Sequence, residues 1–253
     1  MAEDRTLVGV DVGGTGIKAA LVDRTEGTLV TERVKVDTPR PATPDNVAAV
    51  IAKLVGDIAP NDPSPVGVTV PGVVRSGVVH TAANIDKGWI GTDADQMLEH
   101  LLHRPVHVMN DADAAGYAEV AFGSAKGHQG IVVITTLGTG IGSALVYHGV
   151  LVPNTELGHL EIDGRDAELN ASNAARERRK LSWEKWSKHL TKYYRTLEQL
   201  FSPDLFVVGG GVSKHAERFL PLIEVDTTMV PAALGNSAGI IGAALLAYED
   251  ANH

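Results

Sequence analysis

The chain contains no cysteine in 253 residues. Disulfides and thiolate metal sites are therefore excluded, and the absence fits a reducing compartment. No apolar run reaches the roughly 20 residues that a membrane-spanning helix needs. Met1 to Arg5 is charged and leads straight into an apolar stretch. No signal peptide and no membrane partner are expected, and the expected location is cytoplasmic. Positive charge is also scarce: 22 Lys and Arg stand against 31 Asp and Glu, for a net charge of −9. That balance argues against a general nucleic-acid binder. Two familiar glycine motifs are missing as well. The first Gly-rich stretch is not followed by Gly-Lys-Ser/Thr, and no helical pattern begins after it, so it is neither a P-loop nor a dinucleotide fingerprint. What remains, 44% hydrophobic and 21% charged residues, suits a soluble globular protein of one large or two modest domains.

The run Leu7-Val8-Gly9-Val10 reads as a buried strand, with Asp11 at its end. A Gly13-Gly14 pair follows. Beyond it, Ile17, Ala19 and Leu21 alternate with Gly16, Lys18 and Ala20. This is strand, tight turn, strand. The glycines let the backbone take positive φ and come close to a ligand. Gly14, Thr15 and Gly16 can offer N–H and hydroxyl donors to a phosphate, Lys18 a point charge, and Asp11 a water-mediated grip on a metal. Without a ligand the same stretch is simply a hairpin with a glycine turn. A second hairpin of this kind spans 130–147, turning at Gly138-Thr139-Gly140. The echo predicts a duplicated architecture, with two phosphate turns facing one another across a cleft.

Between and after these hairpins the patterning predicts a strand over 29–36 and a helix over 44–58, broken by Pro60-Asn61-Asp62-Pro63. It then predicts a strand over 66–70, a helix over 93–102, a strand over 106–109 and a small-residue helix over 114–122. Asn84 lies in a loop, where an Asx turn and a hydroxyl contact are both open. Asp111 and Asp113 stand between strand and helix, where one can cap and the other react. Glu156 and His159 can grip hydroxyls, and a zinc site at His159 lacks partners. A helix over 174–180 precedes a long one over 182–201. The long helix has an apolar stripe of Trp183, Trp186, Leu190, Tyr193, Leu197 and Leu200. Eight of the 22 basic residues cluster here: Arg176, Arg178, Arg179, Lys180, Lys185, Lys188, Lys192 and Arg195. They are either a solvated face or a track for a polyanion. A strand over 205–208 runs into Gly209-Gly210-Gly211-Val212, where a flat group can sit against the backbone. A last helix, 238–248, has little side-chain bulk.

In this order, Asp11-x-Gly-Gly-Thr15, Asn110-Asp111, Gly138-Thr139-Gly140, Glu156-x-Gly-His159 and Gly209-Gly210-Gly211 resemble the repressor–open reading frame–kinase (ROK) family of sugar kinases along the whole chain. The resemblance implies an actin-like (ribonuclease H-like) two-domain α/β fold with a central cleft. The domains would be 1–112 with 238–253, and 113–237. It also implies Asp111 as catalytic base, with Asn84, Asn110, Asp111, Glu156, His159 and Glu168 on the sugar. Asp11, Gly13, Gly14, Thr15, Gly16, Lys18, Gly138, Thr139 and Gly140 would meet the phosphates, and Gly209, Gly210, Gly211 and Val212 the adenosine. Mg²⁺ would be the cofactor, carried through water by Asp11. Many members carry a cysteine-rich zinc motif after Glu-x-Gly-His. Here residues 163–168 replace it without cysteine, so no zinc is expected, while Glu168 still matches the sugar-binding Glu. This cysteine-free form is similar to the actinobacterial polyphosphate glucokinases. It implies transfer from polyphosphate or ATP to glucose and mannose, with Arg176, Arg178, Arg179, Lys185, Lys188 and Lys192 on the polyphosphate. The alternatives are an ATP-only glucokinase, an N-acetylmannosamine kinase or a sugar-sensing regulator. Six residues before the first strand argue against the regulator's DNA-binding domain. Both monomer and homodimer stay open.

Overall fold

The computed structural model describes residues 5–60 and 62–252. Residues 1–4 and Asn61, part of the expected Pro60–Pro63 break, lie outside the described residues, as does His253. The chain forms two compact units, Met1–Ala118 with Ser237–His253, and Glu119–Asn236. The first unit thus extends beyond Ala112, keeping the start of a helix that the sequence reading gave to the second.

The first unit contains β1 (Thr6–Val12), β2 (Gly16–Asp23), β3 (Thr28–Leu29), β4 (Val34–Asp37), α1 (Pro44–Ile58), β5 (Val66–Val70), the hairpin β6 (Val74–Arg75) and β7 (Val78–Val79), α2 (Ala94–Leu102), β8 (Val106–Asn110) and most of α3 (Asp111–Ala121). Its six-stranded sheet has the order β3-β2-β1-β5-β8, with β4 also on β2. β1 and β2 are antiparallel; β1, β5 and β8 are parallel. The apolar run of β1 is buried on both faces, as a central strand requires. Gly9 and Gly67 lie in register on β1 and β5. A Cβ at either would stand 2.1 Å from Ile240 O or 1.9 Å from Ala243 O. The two glycines therefore leave a flat patch on which the C-terminal helix (Ala238–Asp250) rests its backbone. Thr43 caps α1 and Pro44 occupies its first turn.

The single strand expected over 29–36 is instead two, β3 and β4, which pair with opposite halves of β2. The interruption is hydrogen-bonded back to β2: Val30 N donates to Leu21 O at 2.8 Å and Leu21 N to Thr31 Oγ1 at 3.1 Å. The helix expected from 114 begins three residues earlier, at Asp111, because its cap is Asn110 and neither aspartate. Asn110 Oδ1 accepts from Ala112 N at 2.8 Å and Asp113 N at 3.1 Å.

The second unit contains β9 (Ile131–Leu137), β10 (Ile141–Tyr147), β11 (Val150–Val152), the hairpin β12 (Glu161–Ile162) and β13 (Arg165–Asp166), α4 (Glu168–Ala171), α5 (Asn173–Arg178), α6 (Trp183–Phe201), β14 (Leu205–Gly209) and β15 (Met229–Pro231). Its sheet order is β11-β10-β9-β14-β15. Along α6 the predicted stripe is buried at Trp186, Leu190, Tyr193 and Leu197. Leu200 departs from it and is 58% exposed. Tyr194 joins the core instead, where its hydroxyl meets Thr135 Oγ1 at 2.6 Å. A stripe wider than two positions per turn accounts for both neighbours, Tyr193 and Tyr194, being inside.

Candidate active site

In the first unit the turn between β1 and β2 closes on itself, with Gly13 N donating to Gly16 O at 3.0 Å. Gly13, Gly14 and Gly16 do not take the positive φ that glycine allows. Their role is proximity. A Cβ on Gly14 would lie 2.7 Å from Asn84 Cβ and 2.9 Å from Asn84 O. The turn and the proposed hydroxyl-binding Asn84 are thus in contact. Asn84 is itself left-handed, with φ 62°, a conformation Asn tolerates. Its side chain is exposed and makes no hydrogen bond among the described residues. Nearby anchors fix its loop: Ala83 N donates to Pro71 O at 2.8 Å, and buried Trp89 Nε1 to Ala42 O at 3.0 Å.

Asp11 is engaged at both oxygens. Thr69 Oγ1 donates to Oδ1 at 3.0 Å and Lys18 Nζ to Oδ2 at 2.7 Å. Lys18 therefore neutralises Asp11 and does not stand alone beside the turn. At the end of β8, Asn110 is buried. Besides capping α3 it donates through Nδ2 to Gly72 O at 3.0 Å, so one amide hydrogen remains for a ligand. Asp113 is also buried. Asp111 is only partly covered, and its Oδ1 accepts from Ala112 N at 2.9 Å.

In the second unit the turn after β9 is built in the same way, with Gly138 N donating to Gly140 O at 3.0 Å. Thr139, like Thr15, is exposed. A Cβ on Gly140 would meet Glu168 Oε2 at 2.3 Å, and Glu168 accepts from Ile141 N at 3.0 Å. Here too a turn expected to meet phosphate abuts a residue expected to meet the sugar. Ser143 Oγ positions Glu156, donating to Thr155 O at 2.6 Å and accepting from Leu157 N at 2.9 Å. Gly158 packs on Ile141 O, 2.2 Å from where its Cβ would be; this explains the Gly of Glu-x-Gly-His.

His159 Nδ1 lies 2.9 Å from Asp166 Oδ2, and Nε2 lies 3.9 Å from Glu156 Oε2. The bond to Asp166 raises the His159 pKa, with help from Glu168 and Glu156 and against some burial. Burial raises the Glu156 carboxyl, which His159 opposes and Glu168 reinforces. Asp166 escaped the sequence reading. Its signal was its place in residues 163–168, the segment already singled out for its lack of cysteine. Gly210 has φ 83°, and its Cβ would clash at 2.6 Å with Leu137 N. The triple-glycine turn therefore lies against the end of β9, next to Gly138. Val212 points inward, 4% exposed.

The basic stretch divides. Lys192 pairs with Asp163, and Arg195 with Glu224 at 3.1 Å. Arg176 lies 4.2 Å over the Trp183 ring and 3.4 Å from Glu177. Arg178 and Arg179 bond Leu169 O and Asn170 Oδ1. Lys185 and Lys188 are exposed, with no side-chain partner among the described residues.

The chain is similar to known proteins along almost its whole length. The chain is 48% identical to a polyphosphate glucokinase of Mycobacterium tuberculosis over 246 residues, covering 97% of this chain and 92% of the relative. The crystal structure of the inorganic polyphosphate/ATP-glucomannokinase from Arthrobacter sp. strain KM superposes with a TM-score of 0.92 at 53% identity, covering 98% of this chain and 99% of that one. A ROK family glucokinase from Streptomyces griseus, in complex with glucose and AMPPNP, gives a TM-score of 0.84 at 26% identity, with 96% and 99% covered. The model of the ROK family matches residues 7–171. The chain, with its actin-like two-domain fold, belongs to the ROK family.

Proposed function

We propose that the protein transfers a phosphoryl group from inorganic polyphosphate or ATP to the 6-hydroxyl of glucose and of mannose. The observation that carries the reading is the contact, in each unit, between a Gly/Thr turn and a hydroxyl-binding side chain: Gly14 with Asn84, and Gly140 with Glu168. A kinase must hold donor and acceptor at the same place, and these contacts join the two tasks at the level of single residues. The choice of donors is supported by the mycobacterial and Arthrobacter relatives.

In this reading Asp111 accepts the proton of the 6-hydroxyl as that oxygen attacks phosphorus. Its carboxylate is partly open, whereas Asp113 is buried. Asn84, Asn110, Glu156, His159 and Glu168 orient the hexose. A site with that many hydroxyl partners rejects analogues lacking one, because its own polar groups are left unpaired. Backbone N–H groups of each turn would stabilise charge developing on the transferred group. Gly209, Gly210, Gly211 and Val212 take the adenosine of ATP. Lys185 and Lys188, with Arg176, Arg178, Arg179 and Lys192, are the proposed contacts of a long polyphosphate.

A kinase of this family requires a divalent cation, and the residues present fit Mg²⁺. Asp11 offers a hard carboxylate whose oxygens keep spare lone pairs beside Thr69 and Lys18. No cluster of three or more acidic, His or Cys ligands occurs among the described residues. Mg²⁺ keeps most of its water and commonly needs only one or two carboxylates beside substrate phosphates. Bound there, it would neutralise charge on the donor phosphates.

The deciding experiment is an activity matrix: glucose, mannose and N-acetylmannosamine against ATP and polyphosphate, with and without Mg²⁺. Glucose 6-phosphate formed from both donors is the expected outcome. Turnover with ATP alone would remove polyphosphate from the reading, and phosphorylation of N-acetylmannosamine in place of glucose would replace the acceptor.

A further inference from the structure

A cation at the outer edge of the first sheet has no part in the reading above. Four side chains stand in a row across β5, β1, β2 and β4. Thr69 is in register with Asp11, Asp11 with Lys18, and Lys18 with Lys35. Strand alternation places all four on one face. Within the row Thr69 and Lys18 satisfy Asp11, so the Lys18 charge is neutralised. The Lys35 charge is not. Lys35 is exposed, and its ammonium makes no hydrogen bond or ion pair among the described residues. Asp37, two residues along on the same face of β4, does not pair with it either.

Lys35 also lies against the first Gly/Thr turn. A Cβ on Gly16 would be 2.6 Å from Lys35 Cε and 3.6 Å from its Cγ, so the lysine stem runs along the turn. The chain that follows β4 braces the same turn. Thr38 Oγ1 donates to Gly13 O at 2.5 Å, and Arg40 Nη2 donates to Gly14 O at 2.9 Å. Arg40 is exposed. That one bond leaves its other guanidinium donors without a partner among the described residues. Lys35 and Arg40 thus flank the turn, one over Gly16 and one over Gly14, both with unused positive charge.

We propose that Lys35 and Arg40 form a polyphosphate-holding site on the first unit, taking the phosphate units that adjoin the one bound at the Gly13–Gly16 turn. The inference rests on the phosphoryl-transfer reading. Polyphosphate carries charge on every unit, so it is held by cations spaced along a surface: a point charge at Lys35 and a planar fork at Arg40. β4 pairs with β2 alone, so a chain of any length can leave over the open edge of the sheet. ATP ends in a nucleoside, assigned above to the triple-glycine turn, and has fewer phosphates to offer.

Lys35→Gln decides the matter, with Lys35→Arg as the rescue and Arg40→Gln as the second variant. Lys53→Gln is the control; Lys53 pairs with Asp57 on α1, 2.5 Å away. KM for long-chain polyphosphate should rise about three- to tenfold in Lys35→Gln, between the effect of an exposed ion pair and that of a charged hydrogen bond. KM for ATP should rise less, and Lys35→Arg should recover most of the loss. The salt dependence of polyphosphate binding, read by isothermal titration without glucose, should flatten by roughly 0.7 in log–log slope for the lost cation. Lys53→Gln should change neither. An unchanged KM and slope in Lys35→Gln, or equal losses with both donors, would overturn the site. Absence of polyphosphate turnover in the unsubstituted protein would instead overturn the functional reading, while the titration still tests the site.

Discussion

Gly140→Ala separates stability from substrate recognition at a single methyl group. The new Cβ would lie 2.3 Å from Glu168 Oε2 and 3.2 Å from its Cδ. No backbone atom blocks it, and Gly140 does not have positive φ. What must yield is the end of a flexible side chain. Glu168 rotates away and gives up the hydrogen bond from Ile141 N at 3.0 Å. A bond to a charged acceptor contributes about 1.5–3 kcal/mol; for this partly exposed carboxylate the lower end applies. If Glu168 grips a hexose hydroxyl, KM for glucose should therefore rise about tenfold, with a smaller change for the donor. Ile141 N can turn to water, so the loss in folding stability should be about 1 kcal/mol, or roughly 2–4 °C in Tm for a chain of this size. Gly14→Ala is the contrast. Its Cβ meets Asn84 Cβ at 2.7 Å and Asn84 O at 2.9 Å, so backbone must move, and overpacking of that kind costs about 1–3 kcal/mol. Steady-state kinetics and a thermal melt of both variants check the reasoning. It fails if Gly140→Ala keeps the original KM for glucose, if only its donor KM changes, or if it melts lower than Gly14→Ala.

Asp111→Asn should retain glucose affinity by calorimetry and lower kcat by about 10²–10⁴, the usual contribution of a positioned base; an inactive Asp113→Asn beside an active Asp111→Asn would reverse the assignment. Asp166→Asn should lower the His159 pKa, which the bond to Asp166 raises above the ordinary value. A raised pKa keeps the imidazolium to higher pH and loses it as pH rises through that value, so the variant should lose it, and glucose affinity with it, at lower pH. Proton NMR of the His159 ring, together with the pH profile of KM, reads both, and an unmoved midpoint would exclude the coupling.

Much of this was legible in the residue order. The apolar run 7–10, the Pro44 start of α1 and the 3,4 spacing along α6 each have one physical solution, and the structure adopts it. What was not legible depends on contacts distant in sequence. The break between β3 and β4 exists because two short segments share β2, which no local propensity reveals. Asn110 took the cap because its backbone sits at the strand end with Oδ1 free to turn back; Asp111 and Asp113 are equally good cap formers by type. Glu119 gave no signal at all. It is buried, and it accepts from Ser124 N, Ala233 N and Leu234 N at 2.8–3.0 Å, fixing a loop more than a hundred residues away. The polyanion track drawn from charge density was diluted for a similar reason: half of those cations meet partners from other segments.

Glycine carried most of the motif evidence, and the glycines of the structure are not constrained alike; the triple-glycine turn allows the constraints to be told apart. Gly9, Gly14 and Gly140 are glycine for closeness alone: neighbours occupy the space of a Cβ, and φ is ordinary. Gly210 is constrained twice, by φ 83° and by the Leu137 backbone at 2.6 Å. Gly211 has neither constraint. Nothing lies within 4 Å of its would-be Cβ, and its φ is not positive. Folding gives no reason for glycine there, since Ala at that position reduces the entropy of the unfolded chain and should be neutral or stabilising by about 0.4–1 kcal/mol. A ligand does give a reason: a flat base lying on the backbone would meet the methyl group. Gly211→Ala should therefore keep or raise Tm while increasing KM for ATP, and it should leave KM for polyphosphate, which has no nucleoside, close to its original value. Gly210→Ala should lose stability and activity with both donors together. If Gly211→Ala leaves KM for ATP unchanged, or raises it equally for polyphosphate, the adenosine does not rest on this turn.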